Sequence, residues 1–146
     1  MATRFSVVDI TFDENTGVST AIISTPIGLF TGTSVAKGTD ADKEKISSFY
    51  GCDIAFLKAQ KKYFKREISN LKQQIKGIKL LATQAPNPNT LKKTAESLIS
   101  QLNEQIKEAQ QNYNHVEQRL VENSKDRQDF LNRLDKIRKR KENPCE

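Results

Sequence analysis

The stretch QAPNPNT, residues 84–90, decides the fold of this chain because it interrupts an otherwise continuous helical pattern. Proline lacks a backbone N–H and its ring clashes with the preceding turn, so Pro86 and Pro88 prevent one helix from running through. Asn89 or Thr90 can cap a second helix that starts near Leu91. The stretch is only seven residues long. The sequence therefore predicts that the two helices fold back on each other as an antiparallel pair.

Both helical segments carry an apolar seam with alternating steps of four and three residues, the heptad pattern of coiled coils. In the first segment, residues 53–84, the seam consists of Leu57, Lys61, Phe64, Ile68, Leu71, Ile75, Ile78 and Ala82. In the second, residues 90–141, it consists of Leu102, Ile106, Ala109, Tyr113, Val116, Leu120, Asn123, Arg127, Phe130, Leu134 and Ile137. We therefore expect two long helices in a hairpin.

Residues 1–38 do not show the helical spacing of apolar residues. The segments RFSVVDITF, VSTAIIST and LFTGTSVA are rich in β-branched and aromatic residues, and glycine-containing turns separate them. They predict a three-stranded antiparallel meander, with Gly28 in a turn and Gly32 at a bulge or a close backbone approach. Residues 39–51 predict a short helix and connector that stops at Gly51, after which Asp53 caps the first long helix.

The expected fold is α+β and forms a single structural unit: a small N-terminal antiparallel β-meander, a short helix, and a long antiparallel α-helical hairpin. At 1.5 Å per residue, the two long helices span roughly 45 Å and 75 Å. The second helix should therefore overhang its partner by roughly 30 Å beyond Leu120. This overhanging C-terminal helix must run past the β-meander or past a second subunit.

Composition points to association and to phosphate-bearing partners. The 146 residues are 36% hydrophobic and 29% charged, with a net charge of +6. So lean an apolar content predicts self-association as a dimer or higher homo-oligomer. The positive charge favours nucleic acid, nucleotides or an anionic membrane surface, although a well-solvated helical surface explains it as well.

Two polar residues, Asn123 and Arg127, occupy seam positions on the overhang. Three explanations stay open: a polar pair that sets the register of a dimer, contacts to a ligand's phosphate, or a helix end in solvent. Arginine suits phosphate because its fork donates two parallel hydrogen bonds, and a nearby aromatic ring can stack a base. The candidate ligand-binding residues are Arg127, Asn123, Arg119, Tyr50, Phe49 and Lys61.

The first long helix is also strongly basic. Between Ile54 and Thr83 it carries eight Lys or Arg residues and one acidic residue, Glu67, a net charge of +7. Such a face is typical of nucleic-acid binding, but it is also typical of a solvated surface paired with acidic residues of the second helix.

The sequence contains no recognisable pattern of catalytic residues. His115 stands alone, Cys52 and Cys145 fit no metal-binding spacing, and the glycines of TPIGLFTGTS do not follow a phosphate-loop pattern. We expect a protein that is not an enzyme and uses neither metal nor cofactor. The N-terminus lacks a signal-peptide pattern and the chain lacks an apolar run of spanning length, so a cytoplasmic protein without a membrane partner is expected.

The stretch TPIGLFTGTSVAKGTDADKEKISSFYGCDIAFLKAQ, residues 25–60, resembles a bacteriophage module. Through its P-x-G-x-F-x-G strand and G-x-x-I-A helix start, the chain is similar to the phage Thoeris anti-defence sponges of the first type. The resemblance implies a homo-oligomer in the cytoplasm of the infected host. It also implies pockets between subunits that sequester a cyclic ADP-ribose isomer, or a cyclic oligonucleotide, and so block a host immune effector.

Two other functions remain open. A nucleic-acid-binding phage accessory protein would use the basic helix face and lose affinity steeply with salt. A protein-interaction or assembly factor would bind neither nucleotide nor nucleic acid and would expose an apolar patch.

Overall fold

The computed structural model describes residues 5–35, 48–84 and 88–142, except for the side chains of residues 48, 49, 88–90, 138 and 140–142. Three strands precede two helices. In chain order they are β1 (Ser6–Asp13), β2 (Val18–Thr25), β3 (Gly28–Val35), α1 (Ser48–Gln84) and α2 (Pro88–Glu142). The predicted α+β fold, an antiparallel meander followed by a helical hairpin, is confirmed.

The sheet has the order β1-β2-β3 and both pairings are antiparallel. Gly17, with φ 72°, closes the first turn and donates its N–H to the carbonyl of Asp13 at 2.8 Å. Gly28, with φ 127°, closes the second turn as predicted, because a residue without Cβ adopts positive φ without strain. A bulge between Val7 and Asp9 interrupts the β1–β2 register.

One face of the sheet is covered by helices. On β2 the alternate residues Ser19, Ala21 and Ile23 are buried, and on β3 Gly32 and Ser34 are buried. The residues between them are half-buried or exposed, which is the two-residue period of a strand with one solvated face. β1 is mostly exposed. The covered face therefore belongs to β2 and β3.

The start of α1 differs from the prediction. The helix begins at Ser48 and runs without interruption through Gly51 and Asp53, so Gly51 is not a helix stop and Asp53 is not a cap. A single glycine disfavours a helix by only about 1 kcal/mol, which the packing of the adjoining turns outweighs. Gly51 is itself buried. Most of the short helix predicted at 39–51 lies outside the described residues.

The start of α2 also shifts, from the predicted Leu91 to Pro88. Proline fits the first turn of a helix because the backbone N–H that it lacks would have no intrahelical partner there. Asn89 and Thr90 consequently lie within the helix rather than before it. Pro88 starts α2 instead of only preventing α1 from continuing.

The chain divides into two compact units. The first contains Met1–Lys62 and Val116–Glu146, and the second contains Tyr63–His115. In the second unit the heptad seam is confirmed by four buried residues: Ile68, Leu71, Ile75 and Ala109. No helix within the described part of the chain has both the length and the apolar character required to cross a bilayer.

In the first unit, Leu57 and Val116 are buried as the seam predicts. The seam then drifts: Leu131 is buried at 6% exposure, whereas the predicted seam residue Ile137 is 50% exposed. This drift is expected where a helix leaves a heptad partner and follows another surface, because 3.6 residues per turn do not match a strict seven-residue repeat.

Candidate functional site

A very close approach between α1 and β3 positions the site. A Cβ added to Gly32 would lie 2.0 Å from the carbonyl oxygen of Ala55 and 2.5 Å from the backbone nitrogen of Ala59. Only glycine fits at this point of the strand. Both alanines are fully buried, so small side chains line the helix side of the contact as well. The second possibility predicted for Gly32, a close backbone approach, is confirmed, and the bulge lies in β1 instead.

Arg127 reaches this sheet from α2. Its Nη1 donates a hydrogen bond of 3.0 Å to the Oγ of Ser34 on β3. Ser34 is 4% exposed and Arg127 is half-buried, so the guanidinium lies against the covered face of the sheet. Of the two surfaces that the overhang is expected to pass, the β-meander and a second subunit, Arg127 contacts the β-meander, and its side chain does not end in solvent.

Ser19 lies beside Ser34. The two residues are directly paired between β2 and β3, and both are buried on the helix-covered face, so their side chains are neighbours. Ser19 is 0% exposed, and its hydroxyl has no hydrogen-bond partner among the described residues. A buried hydroxyl without a partner is disfavoured by about 1–3 kcal/mol, which makes this oxygen a candidate contact for a bound molecule.

Asn123 lies one turn before Arg127 on the same side of α2. Its Nδ2 donates a hydrogen bond to Oδ2 of Asp53 on α1. The amide therefore has a partner within its own chain and joins α2 to α1. The explanations left open for this position were a dimer contact, a ligand contact and solvent exposure. Asn123 and Arg127 are four residues apart on one helix, so the two hydrogen-bonded pairs, Asn123–Asp53 and Arg127–Ser34, start from neighbouring turns of α2. We call Arg127, Ser34, Ser19, Asn123 and Asp53 the polar site.

The remaining predicted residues are distributed around the first unit. The ring of Tyr50 packs against that of Phe130 with 5.6 Å between centroids and a tilt of 44°. Lys61 forms an ion pair of 3.3 Å with Glu117, with side chains 39% and 45% exposed. Arg119 is exposed on α2. Phe49 belongs to α1, but its side chain lies outside the described residues.

Asn123 and Arg127 are recognisable in the sequence as polar residues of the seam, but their partners are not. Asp53 was assigned to a cap, and neither serine was singled out. One signal was available: the covered face of β2 and β3 carries serines at positions 19 and 34, where alternation would favour apolar residues. No three His, Cys, Asp or Glu side chains cluster as metal ligands within the described part of the chain.

Comparison of this chain with protein-family models, with curated proteins and with solved structures finds no match.

Proposed function

We propose that this chain is a non-catalytic protein that captures a small phosphate-bearing nucleotide at the polar site. The role that fits is the one implied by the sponge resemblance: sequestration of a cyclic nucleotide messenger, such as a cyclic ADP-ribose isomer or a cyclic oligonucleotide, in the cytoplasm of a phage-infected bacterium. One observation carries the proposal. The half-buried Arg127 donates a hydrogen bond to Ser34, and beside Ser34 lies the buried hydroxyl of Ser19, which has no partner in the described part of the chain.

The polar site carries groups suited to the phosphate and groups suited to the ribose of a nucleotide. A guanidinium and serine hydroxyls are the groups that most often contact phosphate oxygens. A carboxylate such as Asp53 repels phosphate but accepts hydrogen bonds from ribose hydroxyls, as acidic residues of dinucleotide-binding folds do. A cation alone would select any anion. The combination of Arg127 and Asp53 favours a ligand that carries donors as well as charge.

Retention, rather than chemistry, is what sequestration requires. A sponge needs a preformed site, a low dissociation constant and a copy number above that of the messenger. Ordered groups support this, because side chains that are already held in place lose little entropy when a ligand binds. Ser34 and Asn123 already hold Arg127 and Asp53 by hydrogen bonds.

The test is a capture experiment. The protein is incubated with NAD-derived cyclic products and with synthetic cyclic dinucleotides, separated from free ligand by ultrafiltration, and heated. The released material is then identified by mass. We expect release of chemically unchanged ligand. A hydrolysed product would indicate an enzyme, and the absence of any retained nucleotide would contradict the proposal.

A matched pair of variants locates the capture. Arg127→Ala should weaken binding by roughly ten- to a hundredfold, the effect of losing one charge-assisted hydrogen bond of about 1.5–3 kcal/mol. Arg133→Ala removes the same charge from an exposed position of α2 and should leave binding unchanged. Equal losses in both variants would show that net charge, rather than the polar site, attracts the ligand.

A second function, nucleic-acid binding, is favoured by a different observation. Residues 68–95 contain five lysines and no acidic residue, and these lysines are exposed. A phosphate backbone bound there would release many counterions, so affinity would fall steeply with salt, whereas a nucleotide gives a shallow slope. Lys72→Glu with Lys76→Glu should abolish such binding, and Lys136→Glu with Lys139→Glu on α2 is the control. Unchanged binding by the first pair would exclude this function for that surface.

A further inference from the structure

The first strand leaves an apolar edge uncovered. β1 pairs with β2 on one side, and on its other side no strand follows among the described residues. Val7, Val8 and Ile10 are 49%, 57% and 41% exposed, although Ile10 and Val7 are paired with fully buried residues of β2. An exposed apolar edge strand is a template for pairing with another strand.

The opposite edge of the sheet is protected. On β3, Lys62 of α1 donates its ammonium to the carbonyl oxygen of Thr31 at 2.8 Å. A lysine at a sheet edge blocks strand addition, because an incoming strand would have to displace and desolvate the charge. The close contact at Gly32 keeps α1 beside this edge. Of the two edges, β1 is therefore the one available for pairing.

Phe5 and the first seven residues of β1 form a nearly palindromic sequence. FSVVDITF, residues 5–12, reads aromatic, hydroxyl, aliphatic from either end. Phe5 corresponds to Phe12, Ser6 to Thr11, and Val7 to Ile10. A twofold interface requires this kind of self-complementarity, because residue i contacts residue j while residue j contacts residue i.

The bulge places Val7 and Ile10, which correspond in the palindrome, on the same face of the sheet. In a regular strand, Val7 and Ile10 would point to opposite faces because they are three residues apart. With the bulge between Val7 and Asp9, Val7 pairs with Ile23 and Ile10 pairs with Ala21, and both β2 partners are buried on the helix-covered face. Directly opposed residues of two antiparallel strands share a face, so Val7 can lie opposite Ile10 only because of this bulge.

The flanking aromatic residues follow the same face. Phe12 pairs with the buried Ser19. Phe5 packs edge-on against Phe56 of α1, with 6.1 Å between ring centroids, so it also lies on the helix side. In the palindromic register the two phenylalanines would oppose each other, and aromatic cross-strand pairs are among the more stabilising ones.

We propose that two copies of this chain join through antiparallel pairing of β1 with β1, which forms a continuous six-stranded sheet. Val7 of each copy lies opposite Ile10 of the other. The surface lies outside the polar site, and dimerisation is measured without any nucleotide, so it is tested independently of the proposed function.

Solution mass tests the surface. Analytical ultracentrifugation over a range of concentrations should show wild-type dimers. Val7→Lys with Ile10→Lys should give monomers with an unchanged circular dichroism spectrum, because both side chains are exposed in the single chain. Leu29→Lys with Val35→Lys, at β3 positions that are 66% and 50% exposed, is the matched control and should remain dimeric. A monomeric wild type, or equal effects of the two variants, would overturn the proposal.

Disulfide formation tests the register. In a background with Cys52→Ser and Cys145→Ser, a chain with Val7→Cys mixed with a chain with Ile10→Cys should cross-link under mild oxidation. Val7→Cys alone should not, because its twin lies about three residues away along the strand, roughly 10 Å, beyond the reach of a disulfide. Equal cross-linking of Val7→Cys with itself would refute this register.

Discussion

Replacing Gly32 by alanine tests how the sheet holds the first helix. The added Cβ would lie 2.0 Å from the oxygen of Ala55 and 2.5 Å from the nitrogen of Ala59, whereas ordinary contact begins at 3.4 Å. Both atoms belong to the helix backbone, so no side-chain rotation relieves the overlap. α1 would have to move away from β3 by about 1.4 Å at this point, the difference between 3.4 Å and 2.0 Å.

The expected loss of stability follows from the packing contacts that this movement weakens. Overpacking of a well-packed site costs about 1–3 kcal/mol, and here the fully buried Leu57 and Ile23 also lose part of their contacts. We expect the free energy of unfolding to fall by about 3 kcal/mol, at the upper end of that range. In urea, followed by circular dichroism, this lowers the midpoint by roughly 1–3 M.

The control is Gly77→Ala. Gly77 is an exposed helical glycine of α1, and a Cβ there would meet nothing within 4 Å. Alanine should stabilise this position by about 0.5–1 kcal/mol through the lower backbone entropy of the unfolded chain. A free energy of unfolding of Gly32→Ala that differs from that of the wild type by less than about 0.5 kcal/mol would contradict this close contact.

Three further predictions concern the polar contacts of the first unit. Ser19→Ala removes a buried hydroxyl that has no partner among the described residues, so it should leave the free energy of unfolding unchanged or raise it by up to about 1 kcal/mol. The same change should weaken nucleotide capture. A fall in the free energy of unfolding of more than about 1 kcal/mol would reveal a partner for that hydroxyl. A double-mutant cycle with Asp53→Ala and Asn123→Ala should give a coupling of about 1 kcal/mol in urea unfolding, and additive effects would exclude a direct bond. Lys61→Ala should reduce stability by less than about 0.5 kcal/mol, because its ion pair with Glu117 is close to half exposed; a loss above 1 kcal/mol would contradict a solvent-screened pair.

The elements that the sequence predicted well are those specified by local repetition. The heptad seam places Leu57, Ile75 and Val116 inside, and all three are buried. The strands of the meander follow from β-branched segments bounded by glycine turns. Each of these features depends on neighbours within a few residues, so a periodicity in the chain is sufficient to find it.

The polar site was only half predictable. Asn123 and Arg127 are visible as polar residues in an apolar seam, but their partners are 70 and 93 residues away in the chain. Asp53 has nothing in its own neighbourhood that marks it, and the alternation of β3 marks Ser34 as an unusual residue without identifying its partner. Which amide meets which carboxylate depends on the register of α1 against α2. That register shifts with every error in where the helices begin.

The sequence establishes the strand period of the N-terminal segments, the helix period of the rest and an interruption near Pro86 and Pro88. It also shows that some group must satisfy a guanidinium on the seam. Only the folded chain shows that Gly32 meets Ala55 and Ala59, that α1 continues through Gly51, and that the Ser19 hydroxyl has no hydrogen-bond partner among the described residues. The two kinds of feature differ in how far apart in the chain the interacting residues lie. Backbone preference and apolar periodicity act over a few residues, whereas close packing and hydrogen bonding depend on distances between segments that only the folded chain brings together.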